Sequence, residues 1–202
     1  MIEYEITNRW FEASQVPNRW PGFLNEWLPE KCLEIGSYEG ALATWLIDNC
    51  PSVKEMYCVD TWEGGEEHSD VDMAAVEARF GRNIELCQSH KEVKPTIFKL
   101  KGPSHRILSS LMAEKEGYFD LIYIDGSHLA SDVLLDASLS IHLVRPGGLI
   151  IFDDYLWRPD KTKDYDNRCP KQAIDAFLYA NDGIRTDMFE PGYQVFVRRT
   201  PV

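Results

Sequence analysis

The stretch KCLEIGSYEGALATWLIDNC, Lys31 to Cys50, decides the reading of the whole chain. It opens with a short apolar run that ends at Gly36, then continues with Leu42, Trp45 and Leu46 at helical spacing. A strand therefore passes into a helix through a turn that carries Gly36 and Gly40. Small residues at such a turn let a ligand approach the backbone and the helix N-terminus. The dinucleotide fingerprint G-x-G-x-x-G is absent; the pattern is G-x-x-x-G, preceded by the acid Glu34. A pyrophosphate is repelled by a neighbouring carboxylate, whereas a ligand carrying an ammonium group is attracted by one. The turn thus suits a ligand with a positive end better than a dinucleotide.

Working outward, the same rhythm repeats. EMYCVD (55–60) reads as a second strand ending in an acid, followed by an acidic loop and a helix from about 71 to 87. TIFKLKG (96–102) is a third strand, and SHRILSSLMAEK a third helix with Ser104 as its expected N-cap. FDLIYIDG (119–126) is a fourth strand. Behind it, Val133, Ala137, Ile141 and Val144 recur at spacings of four, four and three, which predicts one face of a helix. GGLIIFDD (147–154) is a fifth strand, PKQAIDAFLYA (170–180) a helix with proline at its start, and residues 184–199 a hairpin around Pro191-Gly192.

Alternating strands and helices, with strands apolar throughout, imply an α/β fold: a mostly parallel sheet with helices on both faces. The strand C-termini then share one edge, along which ligands bind. The polar residues that end the strands are the site candidates: Glu34 and Gly36, Asp60, Gly102 and Ser104, Asp125, and the pair Asp153 and Asp154. Asp60 lies 24 positions after Gly36, about where a ribose-binding carboxylate sits in nucleotide folds.

Composition narrows the function classes. The 202 residues carry 21 Lys and Arg against 33 Asp and Glu, a formal charge of −12, which disfavours nucleic acid and anionic membranes as partners. The start MIEYEITNRWFE holds three acids and no apolar run, so it does not read as a signal peptide, and no segment is apolar enough to span a membrane. A soluble cytoplasmic protein is expected. Cys32, Cys50, Cys58, Cys87 and Cys169 are scattered, without a C-x-x-C pair, and read as small buried hydrophobes rather than a zinc or disulfide framework.

Taken together, CLEIGSYEG, YCVDTWEGGEEH, FDLIYIDGSH and LVRPGGLIIFDDYLW resemble the class I S-adenosylmethionine-dependent methyltransferases, in particular the branch of metal-dependent sugar and natural-product O-methyltransferases. The resemblance runs from about Cys32 to the final hairpin. It implies a Rossmann-like methyltransferase fold with a seven-stranded sheet whose last strand is antiparallel. Residues 31–202 then form a single S-adenosylmethionine-binding methyltransferase domain, and residues 1–30, rich in aromatics (Trp10, Phe11, Trp20, Phe23, Trp27), a helical cover segment.

The same resemblance assigns residues. Glu34, Gly36, Ser37 and Gly40 line the methionine end of the cofactor, Asp60 holds the ribose hydroxyls, and Thr61 and Trp62 border the adenine. Gly102, Ser104 and His105 meet the adenine edge, and Asp125 borders both cofactor and acceptor. Asp125, Asp153 and Asp154 bind Mg²⁺, a hard cation that prefers oxygen ligands. His128, three residues after Asp125, is the expected base, an imidazole's ordinary pKa of about 6.5 suiting proton abstraction at neutral pH. The acceptor is a small hydroxylated molecule, and the resemblance leaves a homo-oligomer open. From the residues themselves, His68 stands in an acidic loop that either borders the acceptor or is simply solvated, and the polar loop 156–168 follows the acidic pair as an acceptor-side loop would. Three rivals share parts of the pattern. A nicotinamide dehydrogenase leaves the acidic trio without a role, and a phosphoester hydrolase leaves Glu34, Gly36 and Asp60 unexplained. A non-catalytic module that binds S-adenosylmethionine or a nucleoside needs no metal.

Overall fold

The computed structural model describes residues 2–8, 10–13, 16–65, 68–159, 168–182, 184–187 and 194–200. They divide into two compact units, Met1–Gly102 and Pro103–Val202.

In the first unit, helices α1 (Trp10–Ala13) and α2 (Val16–Trp27) precede β1 (Lys31–Ile35), α3 (Ala41–Asn49), β2 (Glu55–Asp60), α4 (Met73–Ser89) and β3 (Thr96–Lys101). The three strands run parallel in the order β3-β2-β1, with Leu33 beside Tyr57 and Tyr57 beside Phe98. Continuous apolar stretches make β1 and β2 buried, as parallel strands covered on both faces must be. β3 is half exposed, and its Lys99 and Lys101 both pair with Glu77 of α4. Gly40 precedes α3 at φ 80°, and a Cβ there would lie 3.1 Å from the Phe80 ring, so glycine is required twice over. Two N-terminal aromatics pack against Trp45 of α3. Trp20 is fully buried with its ring edge-on to Trp45, and Phe11 leans on the same ring.

The second unit contains α5 (Ser104–Lys115), β4 (Phe119–Ile124), α6 (Ala130–Leu143), β5 (Val144–Phe152), α7 (Pro170–Ala180), β6 (Ile184–Asp187) and β7 (Val195–Arg199). The strand order is β4-β5-β7-β6; β4 and β5 are parallel, and β7, the last strand of the chain, is antiparallel to both neighbours. The architecture is the Rossmann-like α/β arrangement, mostly parallel with an antiparallel last strand. The expected turn at Pro191-Gly192 lies outside the described residues.

Two local expectations are corrected. Pro103, not Ser104, is the N-cap of α5, and no side chain caps it; Ser104 is already helical. Val144 is not on the α6 face but opens β5, paired with Phe119. Pro146 two residues on cannot continue a helix, and it biases Arg145 toward extended backbone, so the chain turns into a strand at once. At Gly148 a Cβ would lie 2.9 and 3.0 Å from the carbonyl oxygens of Arg145 and Asp120, so β5 approaches its neighbour too closely there for any side chain.

Candidate functional site

The first unit gathers Glu34, Gly36, Ser37, Gly40 and Asp60 at the C-terminal ends of β1 and β2. Glu34 is 2% exposed and its Oε2 has no hydrogen-bond partner; the neighbouring Ser37 Oγ has none either. Buried polar atoms left unpaired cost roughly 1–3 kcal/mol each, a cost that a bound ligand or water offsets. Burial, with the charge of Asp60 adding, pushes the Glu34 carboxyl up to about 8. A cation brought beside it recovers that penalty.

Asp60 is held rigidly. Its Oδ2 accepts from the Tyr38 N–H at 2.8 Å and its Oδ1 from the Trp62 N–H at 2.7 Å. Each oxygen retains a second lone-pair direction for a ligand hydroxyl. Tyr38 (φ 45°) and Trp62 (φ 49°) both sit in the left-handed region, a conformation costly for bulky side chains that the carboxylate bonds maintain. The Gly102 N–H donates to the Asp60 carbonyl, which brings the end of β3 alongside. The Trp62 ring is consumed by packing: it is 3% exposed, lies 5.0 Å from Phe80, is covered by the Lys99 ammonium and donates its Nε1–H to the Tyr38 carbonyl. Thr61 turns its hydroxyl to the Glu63 N–H. Tyr38, whose N–H holds Asp60, contributes its ring to an aromatic cluster with His68 and the exposed Trp10, the rings lying 5.4–5.8 Å apart.

Glu39, inside the glycine turn, escaped the sequence reading. Its side chain is 1% exposed and accepts from the Thr7 N–H and hydroxyl, each at 2.7 Å, and from the Arg79 Nε–H. The Asn83 amide donates to its backbone carbonyl. The N-terminal segment is thereby fastened to the turn between Gly36 and Gly40. No spacing signal could reveal partners 32 and 40 residues away.

In the second unit, Asp125 follows β4 and Asp153 and Asp154 follow the parallel neighbour β5, where the Asp153 N–H donates to the Ile124 carbonyl. The acids part company at their side chains. Asp125, His128 and Asp154 converge, each offering a ligand atom within 4.8 Å of the others. Asp153 is buried and faces inward: Oδ2 accepts from the Tyr123 hydroxyl, Oδ1 from the Asp154 N–H at 2.9 Å, and the Gln194 amide approaches from the start of β7. Burial and the adjoining Asp154 charge push Asp153 up to about 6, while burial and the acids around it raise Tyr123. Asp153 thereby fixes Asp154, whose φ is 56°. His128 Nε2 lies 2.8 Å from Asp154 Oδ2, and its ring stacks on Trp157 at 4.0 Å. A carboxylate only accepts, so Nε2 carries the hydrogen of this contact.

Ser104 turns its hydroxyl to Asp136 on the buried face of α6, and His105 is exposed. Burial, aided by Asp132, pushes Asp136 up to about 7. Of the loop 156–168, residues 160–167 lie outside the described set. Among the described residues no helix is long and apolar enough to cross a membrane.

A family model described as a methyltransferase domain matches residues 33–155, more than half of the chain. Among solved structures, an O-methyltransferase from Bacillus cereus in complex with SAH is similar at 22% identity and TM-score 0.61, covering 92% of this chain and 82% of that one. The O-methyltransferase TomG from Streptomyces achromogenes, involved in tomaymycin synthesis and in complex with SAM, is similar at 16% identity and TM-score 0.64, covering 98% of this chain and 92% of that one. At such identities the likeness establishes the fold. No curated protein sequence matches.

Proposed function

The chain belongs to the methyltransferase-domain family, as a class I S-adenosylmethionine-dependent methyltransferase, and from that premise we propose that it methylates a hydroxyl oxygen of a small acceptor with the help of a divalent cation, Mg²⁺. S-adenosylmethionine, when bound, supplies a methyl group on a positively charged sulfur. The orphaned oxygens of Glu34 and Ser37 fit the cationic methionine end, and the fixed carboxylate of Asp60 fits the ribose hydroxyls. The cluster of Tyr38, His68 and the exposed Trp10 supports those rings, rather than the packed Trp62, as the aromatic wall.

The observation that carries the oxygen-acceptor reading is the convergence of Asp125, His128 and Asp154. Two carboxylates are the oxygen ligands a hard cation takes, and a cation so held supplies positive charge to an acceptor oxygen. An imidazole suits such a cation less well, so His128 stays outside the ligand set and keeps its bond to Asp154. As the base, His128 takes the hydroxyl proton, and Asp154 stabilises the imidazolium that forms. Asp153 acts as the positioning residue behind Asp154.

The test is turnover against a panel of sugars and phenols, with Mg²⁺ and with a chelator. The reading expects activity that the chelator abolishes and that falls at least about a hundredfold in Asp154→Asn. Full activity in chelator removes the cation; folded protein that binds cofactor and methylates none of the panel weakens the acceptor class.

A further inference from the structure

A second cluster of ligand-type side chains lies in the first unit, away from the glycine turn. α3 starts at that turn and ends at Asn49, so Asp48 is near the far end of the helix, roughly 10 Å along at 1.5 Å per residue. There Asp48 meets Cys87, in the last turn of α4, and His90, its C-cap. One ligand atom of each lies within 4.8 Å of the others. Asp48 Oδ1 is 3.0 Å from His90 Nε2 and 3.8 Å from Cys87 Sγ. In a tetrahedral zinc site, bonds of about 2.0 Å to oxygen and nitrogen and 2.3 Å to sulfur set these separations at about 3.3 and 3.5 Å. The two separations from Asp48 therefore stand within a few tenths of an ångström of zinc-ligand geometry, and the His90–Cys87 separation closes the set within 4.8 Å.

The surroundings match what such a site needs. His90 Nδ1 faces the Leu86 carbonyl at 2.9 Å, so it carries the hydrogen. Nε2 is then left facing a carboxylate, where only a proton or a cation makes the contact favourable. The Leu86 bond is also the kind of outer support that orients a ligating imidazole. Tyr4 donates its hydroxyl to Asp48 Oδ2 at 2.7 Å and so turns Oδ1 toward His90, Cys87 and Lys91. Cys87 is buried, while Asp48 and His90 are 27% exposed, so an ion can enter from solvent. Sulfur, imidazole and carboxylate together select zinc over magnesium or calcium.

We propose that Asp48, Cys87 and His90 form a zinc site, its fourth position filled by water, that ties the ends of α3 and α4 to each other and, through Tyr4, to the N-terminal segment. Binding displaces the Cys87 thiol proton to solvent. It also displaces Lys91, whose ammonium lies 2.7 Å from the same Asp48 oxygen and competes for it. The spacing of the cysteines gave no hint of this, because the ligand that completes the set comes from another helix.

The experiment titrates Co²⁺, then Zn²⁺, into metal-stripped full-length protein, following the thiolate-to-cobalt charge-transfer band. One equivalent should develop the band and Zn²⁺ should bleach it. Cys87→Ser should abolish the band. His90→Gln, at a partly exposed position, should weaken Co²⁺ binding at least about tenfold, and Lys91→Met should strengthen it. The band should persist in Asp125→Asn/Asp154→Asn, which separates this site from the acidic one. The proposal is overturned by the absence of a thiolate band in folded protein, by a band that survives Cys87→Ser, or by unchanged affinity in His90→Gln.

Discussion

Replacing Arg79 by Met should destabilise the protein through a charge it does not itself carry in the core. Glu39 is 1% exposed, and Arg79, 18% exposed, is its cationic partner. Removing one member of a buried ion pair costs about 3–5 kcal/mol, because the other charge is left uncompensated. Two features reduce that here: Thr7 still donates two hydrogen bonds to Glu39, and partial exposure of Arg79 lets water replace some of its field. The expected loss is therefore about 2–3 kcal/mol, read as a lower urea midpoint at unchanged slope. Met retains most of the aliphatic stem, so lost packing is a minor part. Arg79→Met/Glu39→Gln, which removes the orphaned charge and keeps an acceptor for Thr7, should recover at least half of the loss. Glu39 sits between Tyr38, whose N–H holds Asp60, and Gly40, so cofactor affinity should fall in the single variant and return in the double. A single variant within about 0.5 kcal/mol of wild type, or a double variant no better than the single, would refute the argument.

Three further outcomes follow from the geometry. Because burial holds the Glu34 carboxyl protonated up to about pH 8, binding a cationic ligand end beside it should expel a proton. S-adenosylmethionine affinity should then rise with pH toward 8, and calorimetry in buffers of different ionisation heat should show proton release; equal heats contradict the placement. Asp136, raised from 3.8 to about 7, keeps its proton in the folded state while the unfolded chain loses it, so stability should fall as pH rises from about 4 to 7. The difference between wild type and Asp136→Asn should change by about 4 kcal/mol over that window, followed by urea melts at each pH. His128→Ala should lower kcat by about 10²–10⁴ with cofactor affinity intact, and a full-rate variant removes the base assignment.

The fold was legible because its signals are local. Apolar runs at 31–36, 55–60 and 119–124 could only be buried strands, and the polar residue ending each run marked the edge. The acidic edge itself was visible, but the division of labour between Asp153 and Asp154 was not. It depends on Tyr123 and Gln194, 30 and 41 residues from Asp153, drawing one carboxylate inward. Val144 was misread because its helical spacing outweighed the proline two residues later. Trp62, Glu39 and Asp136 share one lesson. A tryptophan two residues after a strand-ending acid can be spent on its own packing, and an acid in a turn or helix can be a buried tie whose partners lie far along the chain.

The most direct test of the central claim is a calorimetric titration of S-adenosylmethionine into the protein, with Mg²⁺ and again with a chelator, alongside Asp60→Ala. The account predicts binding with a dissociation constant on the order of micromolar in both conditions, weakened at least about tenfold in Asp60→Ala. No binding by folded wild-type protein in either condition would contradict it.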